Sequence, residues 1–179
     1  MEFYPIEDIN AATVDALLSV YKETMDKMVE KYENENGSCG DEAKTTMEQE
    51  FADFIADFAA QDGRHIFALR DGDTMAAALR VIEMAQGGWY LEALETAPEY
   101  RGRGCARRLL LETVRCLKAL SAHTIVSVVR RENAASRAVH EACGFEDTGR
   151  VARDMEGTPL EDCMIYRFSC ADELFEKKR

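Results

Sequence analysis

Apolar residues recur at helical spacing through the first third of the chain and at strand spacing after it. Val14, Leu17, Leu18, Tyr21, Met25, Met28, Val29 and Tyr32 step by three and four, which lines one face of a helix. They predict a helix from about Ala12 to Tyr32 with Thr13 as its cap. Asn34 to Gly40 is rich in turn formers and ends it. A second helix, about Asp41 to Ala60, carries Met47, Phe51, Phe54, Ile55 and Phe58 on one face. Ahead of both, Phe3 to Ile6 reads as a short strand.

From His65 the period changes. His65 to Arg70 and Met75 to Met84 are strand-like and flank Asp71-Gly72-Asp73, a hairpin turn. Gln86-Gly87-Gly88 turns the chain again into a strand from Trp89 to Thr96. Ala106 to Leu120 returns to helical spacing. Leu109, Leu110, Val114, Leu117 and Leu120 lie on one side, with Arg107, Arg108, Arg115 and Lys118 largely on the other. Thr124 to Val129 is a β-branched run, hence a buried strand. A short helix, Ala134 to Cys143, stops at Gly144. Strands near Asp147 to Arg153 and Cys163 to Ser169 complete the order. The pattern predicts an α/β protein with a mixed central sheet of about six or seven strands flanked by about four helices. Residues 1–170 are expected to form one domain and 171–179 a tail.

Composition narrows this picture little. With 46% apolar residues the chain is globular. It has no run of about 18 apolar residues, and Met1 to Pro5 does not open like a signal peptide. A cytoplasmic protein without membrane contact is expected. The six cysteines, at 39, 105, 116, 143, 163 and 170, form no C-x-x-C pair and no zinc spacing with His65, His123 or His140. They read as free thiols, with no metal expected.

Charge is more informative. Arg101 to Arg137 holds nine Lys/Arg against two acids, a balance of +7 in a chain of net −12, so the rest carries −19. Residues 1–62 alone hold sixteen acids against four lysines. A basic island in an acidic protein suits a compact anion and not a nucleic acid. Within the island, Arg101-Gly102-Arg103-Gly104-Cys105-Ala106 lies between a strand and a helix. A glycine-rich turn opening a helix aims several backbone N–H groups at one point, a site for phosphate. A Walker loop needs Gly-Lys-Ser/Thr, which is absent. A dinucleotide fingerprint needs a third small residue where Arg107 stands, and it belongs to the first βαβ unit.

The spacing Arg101-x-x-Gly104-x-Ala106, preceded by Leu94-x-Thr96-x-Pro98, resembles the acyl-CoA-binding segment of the GCN5-related N-acetyltransferases (GNAT superfamily). Asn133, Ala138, His140-Glu141 and Gly144-Phe145 resemble the family's later Asn turn, short helix and closing Gly-Phe. Glu132 to Glu146 is also similar to the phosphinothricin and methionine-sulfone acetyltransferase branch. The resemblance implies a splayed sheet, the acyl-CoA N-acyltransferase fold, and acetyl transfer from acetyl-CoA to a primary amine of a small molecule or peptide.

By the same resemblance, the backbone of Gly102, Arg103, Gly104, Cys105 and Ala106 holds the coenzyme A pyrophosphate. Arg101, Arg103, Arg107 and Arg108 add charge for the phosphates. Leu94, Glu95 and Thr96 offer main-chain groups to pantetheine and to the oxyanion. Asn133 contacts the cofactor, caps the helix after it, or does both. Glu92 is the first candidate for the base that deprotonates the amine, and Glu95 the second. Plain alternation puts the two on opposite strand faces. His140 stands where many relatives have the tyrosine that protonates the departing thiolate, or it packs beneath the cofactor as a neutral core histidine; Tyr166 and Tyr90 are the alternative acids. The acidic first helices imply a cationic amine, and a homodimer is left open. Acceptor choice is expected to lie in loops near 34–41, 85–89 and 153–162. Two rival functions stand beside this one. One is a catalytically silent acyl-CoA-binding or regulatory module. The other is a tRNA-acting acetyltransferase, opposed by the −19 outside the basic island.

Overall fold

The computed structural model describes residues 1–37, 40–153 and 158–170. Cys39, residues 154–157 within one expected acceptor loop, and the expected tail at 171–179 lie outside them. The strands are β1 (Glu2–Ile6), β2 (Arg64–Asp71), β3 (Thr74–Met84), β4 (Gly88–Thr96), β5 (Thr124–Arg130), β6 (Glu146–Arg153) and β7 (Pro159–Ser169). The helices are α1 (Ala11–Val20), α2 (Lys22–Asn36), α3 (Asp41–Ala59), α4 (Cys105–Ala119) and α5 (Ala134–Ala142). The sheet runs β1-β2-β3-β4-β5-β7-β6. β1 with β2, β5 with β7 and β6 with β7 are antiparallel, while β4 and β5 run parallel. The expected α/β class with a mixed sheet is what the chain adopts. No described helix is long and apolar enough to cross a membrane.

Five described helices replace the expected four, because the first predicted helix is two. Tyr21 sits at their junction with φ −88° and ψ 15°. The hydrogen-bond ladder still crosses the bend, from Tyr21 N–H to Leu17 and from Met25 N–H to Tyr21, both at 2.9 Å. Unbroken spacing of apolar positions therefore hides the bend from the sequence. The cap moves as well. The Asn10 side chain accepts the Thr13 N–H at 3.0 Å, so Asn10 is the cap and Thr13 lies in the first turn.

The chain divides into two compact units, Met1–Arg80 with Ala93–Cys105 and Val81–Glu92 with Ala106–Arg179. In the first, Leu17, Val20, Met47, Ile55 and Phe58 of the helices are buried, as are Ile66, Leu69, Met75 and Leu79 of the strands. Phe54, expected on the buried face of α3, stays 44% exposed at the edge of that stripe, with the Arg80 guanidinium 4.8 Å from its ring. In the second unit, Leu109, Leu110 and Leu117 of α4 are buried, with Ile125 of β5, Phe145 and Tyr166 of β7.

β4 carries the main departure from regularity. Its register with β5 runs from Gly88–Thr124 to Leu91–Ser127. Two residues later Ala93 has φ +50°, in the left-handed region that disfavours any Cβ. The Tyr21 hydroxyl donates to the Ala93 carbonyl at 2.8 Å, and the Ala97 N–H bonds the Ala76 carbonyl at 3.0 Å. These contacts fix the residue from both sides. Replacing Ala93 by Gly should leave stability unchanged or raise it by up to about 1 kcal/mol, since strain and unfolded-state entropy oppose one another. Ala93→Val, β-branched in the same conformation, should cost more than about 1 kcal/mol. Urea unfolding of the three proteins checks this. If Val proves as stable as Ala, the left-handed assignment is wrong.

Candidate functional site

The phosphate turn is built by backbone conformation. After β4 and a short helical turn at Pro98–Tyr100, the chain passes Arg101 to Gly104 and enters α4 at Cys105. Gly102 has φ +71° and Gly104 φ +77°, and a Cβ at either would meet no atom of the described residues within 4 Å. Glycine is thus required by conformation and not by crowding, and the space beside the turn stays open. The first amides of α4 have no intrahelical acceptor, and the helix dipole adds partial positive charge there. Cys105 is buried, its Sγ 3.6 Å from Met1 Sδ. Arg107 and Arg108 are exposed on the first turn of α4. The Arg103 guanidinium lies 5.4 Å from the Tyr100 ring. A glycine turn leading into a helix N-terminus, with arginines beside it in sequence, fits a diphosphate.

Arg101 is placed differently from its sequence reading. Its Nη1 and Nη2 meet the two oxygens of Glu23 at 2.7 and 3.0 Å, and its Nε donates to the Thr96 carbonyl at 3.2 Å. The guanidinium is committed to α2 and to the end of β4. The pair holds the Glu23 carboxyl below its ordinary range.

Glu92 is half-buried, directly before Ala93. Plain alternation does not run through a left-handed residue, so it no longer separates Glu95 from Glu92. Glu95 is half-buried and accepts the Thr24 hydroxyl at 2.5 Å. Burial pushes its carboxyl up, and the Thr24 bond and the nearby Arg101 charge act in the opposite direction. Leu94 and Thr96 are half-buried beside it. Tyr21, Glu23 and Thr24 escaped the sequence reading as site residues. Tyr21 carried only a core signal there, and nothing marked Glu23 or Thr24 apart from other polar helix positions.

In the second unit, Asn133 caps α5, its side chain accepting the Ser136 N–H at 3.0 Å. The capping half of its reading is therefore present. His140 is 1% exposed. Its Nδ1 lies 2.8 Å from the Ser136 carbonyl, so Nδ1 carries the proton. Nε2 is buried with no partner among the described residues. Burial lowers the imidazole pKa, against the pull of the Ser136 carbonyl. Phe145 stands edge-on at 5.2 Å, and the Tyr166 ring is at 5.6 Å. The fully buried Tyr166 donates its hydroxyl to Glu141 at 2.7 Å. Burial first, then the Glu141 carboxylate, pushes that phenol up to about 12. Tyr90 is half-buried on β4. The described cysteines at 105, 116, 143, 163 and 170 are free thiols.

The family model described as acetyltransferase (GNAT) family matches residues 22–145. A curated relative, the aminoglycoside N(6')-acetyltransferase type 1 of Stenotrophomonas maltophilia, is 34% identical over 64 residues. That match spans 36% of this chain and 39% of the relative's length. Among solved structures, the PaiA N-acetyltransferase of Thermoplasma acidophilum in complex with coenzyme A superposes with TM-score 0.64 at 14% identity, over 94% of this chain and 99% of that one. The ribosomal-protein-S18-alanine N-acetyltransferase of Escherichia coli gives TM-score 0.64 at 18% identity, over 96% and 94%. At these identities the structures establish the fold.

His140 makes stability depend on pH. Its folded pKa lies below the unfolded value of about 6.5. The unfolded chain therefore binds more protons between those two values, and stability falls as pH drops through that window. His140→Phe should remove this component. Between pH 7 and pH 5 its melting temperature should fall by a few degrees less than that of the parent. Equal slopes in thermal scans would mean that the imidazole is not held neutral.

Proposed function

The chain belongs to the acetyltransferase (GNAT) family, and from that premise we propose that it moves an acetyl group from acetyl-CoA to a primary amine. Residues 1–170 act as one acetyltransferase domain in this reading. The observation that carries it is the turn at Gly102 and Gly104, whose left-handed backbone opens onto free space at the head of α4. The amides of Gly102 to Ala106 hold the pyrophosphate, with Arg103, Arg107 and Arg108 supplying charge. When bound, acetyl-CoA supplies an activated thioester. Leu94, Glu95 and Thr96 offer main-chain groups to an extended ligand beyond the end of the β4–β5 register. Asn133 adds a polar contact while it caps α5.

An amine at neutral pH is mostly protonated, so a base is needed. Glu92 takes that proton, directly or through water. His140 does not act as an imidazolium near neutral pH, because its one N–H is held by Ser136 and burial keeps it neutral. Tyr166, weakened as an acid and bound to Glu141, is no better a donor. A thiol pKa of about 8.5 means that the thiolate needs little help and can take its proton from water.

The acceptor is a cationic amine. Sixteen acids lie in residues 1–62, and α2 and α3 bear many of them. The name of the curated relative specifies an aminoglycoside, which is itself a polyamine. Such a rim raises the local concentration of cations and is screened by salt.

Mixing the protein with acetyl-CoA and a panel of amines, while following free thiol, tests the reading. Tight cofactor binding without turnover of any amine would favour a silent acyl-CoA-binding module. Gly104→Ala should weaken coenzyme A binding by about tenfold, since a left-handed alanine costs about 1–2 kcal/mol. Glu92→Gln should lower kcat by about 100-fold and leave coenzyme A affinity unchanged. Asp26→Asn with Glu30→Gln should raise KM for a cationic amine several-fold at low ionic strength and much less at high salt. Better turnover of neutral or acidic amines would overturn the cationic assignment.

A further inference from the structure

The first turn of α2 is fastened to β4 and to the segment leading into the phosphate turn, at three levels. Tyr21, at the α1–α2 bend, donates its hydroxyl to the Ala93 carbonyl at 2.8 Å. Thr24 donates to the Glu95 carboxylate. Glu23 lies between them in sequence and receives both Nη groups of Arg101, whose Nε is on the Thr96 carbonyl. Tyr21, Glu23 and Thr24 thus reach Ala93, Arg101 and Glu95 in one connected seam. Three of the five guanidinium N–H donors are used by these bonds, in the planar fork that only arginine offers.

A single exposed ion pair adds little to stability, and here Arg101 and Glu23 are 47% and 50% exposed. The pair matters through placement. It sets where α2, the helix bearing Asp26, Glu30 and Glu33, lies along β4. It also neutralises Arg101 and engages three of its five donors. We propose that Arg101 is a positioning residue for the acceptor: it locks the first turn of α2 onto the end of β4, and it does not serve the cofactor phosphates. The kinetic consequence rests on the acetyl-transfer reading above, and the structural consequence does not.

Three variants and three measurements test this. Arg101→Gln, Arg101→Lys and Glu23→Gln are compared by calorimetric titration with coenzyme A, by hydrogen exchange of the amides in residues 22–26, and by steady-state kinetics with an amine. Each variant should keep its coenzyme A Kd within about twofold. Each should speed exchange in 22–26 several-fold and raise the amine KM several-fold with kcat within about twofold. Lys keeps the charge but not the fork, so it should not rescue Arg101. Tenfold weaker coenzyme A binding in Arg101→Gln, restored by Lys and absent in Glu23→Gln, would overturn the proposal and return Arg101 to the phosphates. Unchanged exchange in all three would also overturn it. If no amine is turned over, the acetyl-transfer reading fails, while exchange and titration still decide the role of Arg101. If Arg101→Gln does not fold, Glu23→Gln and Arg101→Lys carry the same comparison.

Discussion

Ala93 holds a left-handed conformation in the middle of a strand, and the arrangement of β4 follows from it. An alanine at φ +50° is strained by about 1–2 kcal/mol, so its surroundings have to fix it. Tyr21 binds its carbonyl and the Ala97–Ala76 bond anchors the strand beyond it. The regular register with β5 has already stopped at Leu91–Ser127. Main-chain groups past that point are no longer bound to continue the parallel ladder. Glu92 and Glu95 stand on either side of the irregularity, which is why strand alternation is a poor guide to their directions. Strain of this kind is often found where a backbone serves a ligand.

Charge follows a second logic. The basic island is contiguous in sequence, yet its arginines divide in space by task. Arg103, Arg107 and Arg108 stay with the turn or the exposed first turn of α4. Arg101 is consumed by an acidic helix from an earlier part of the chain. Counting charges along the sequence therefore overstates the field at the turn by one. The helix that consumes it also bears Asp26, Glu30 and Glu33, so the two halves of the charge asymmetry meet in a single ion pair.

Burial governs the chemistry of α5 and β7. The imidazole of His140 and the phenol of Tyr166 are both driven towards their neutral forms, one downward and one upward. Each then spends its proton on a nearby oxygen, the Ser136 carbonyl or the Glu141 carboxylate. The His140 ring packs edge-on against Phe145 and lies beside the Tyr166 ring.

Much of this was legible in the order of residues. Element types and most boundaries follow from the apolar period of α3, the β-branched run of β5 and the Asp71-Gly72-Asp73 turn. The phosphate turn follows from Gly102 and Gly104, because glycine takes a left-handed backbone without the strain that a Cβ adds. Those are local properties, set by sterics and spacing within a few residues. The bend at Tyr21, the left-handed Ala93 and the capture of Arg101 by Glu23 were not legible. Each depends on a partner distant in sequence or on burial, such as the 72 positions between Tyr21 and Ala93 and the 78 between Glu23 and Arg101. A side chain carries its chemistry in its own structure, but its protonation and its partner are settled only when the fold removes water and brings the second group within hydrogen-bonding distance.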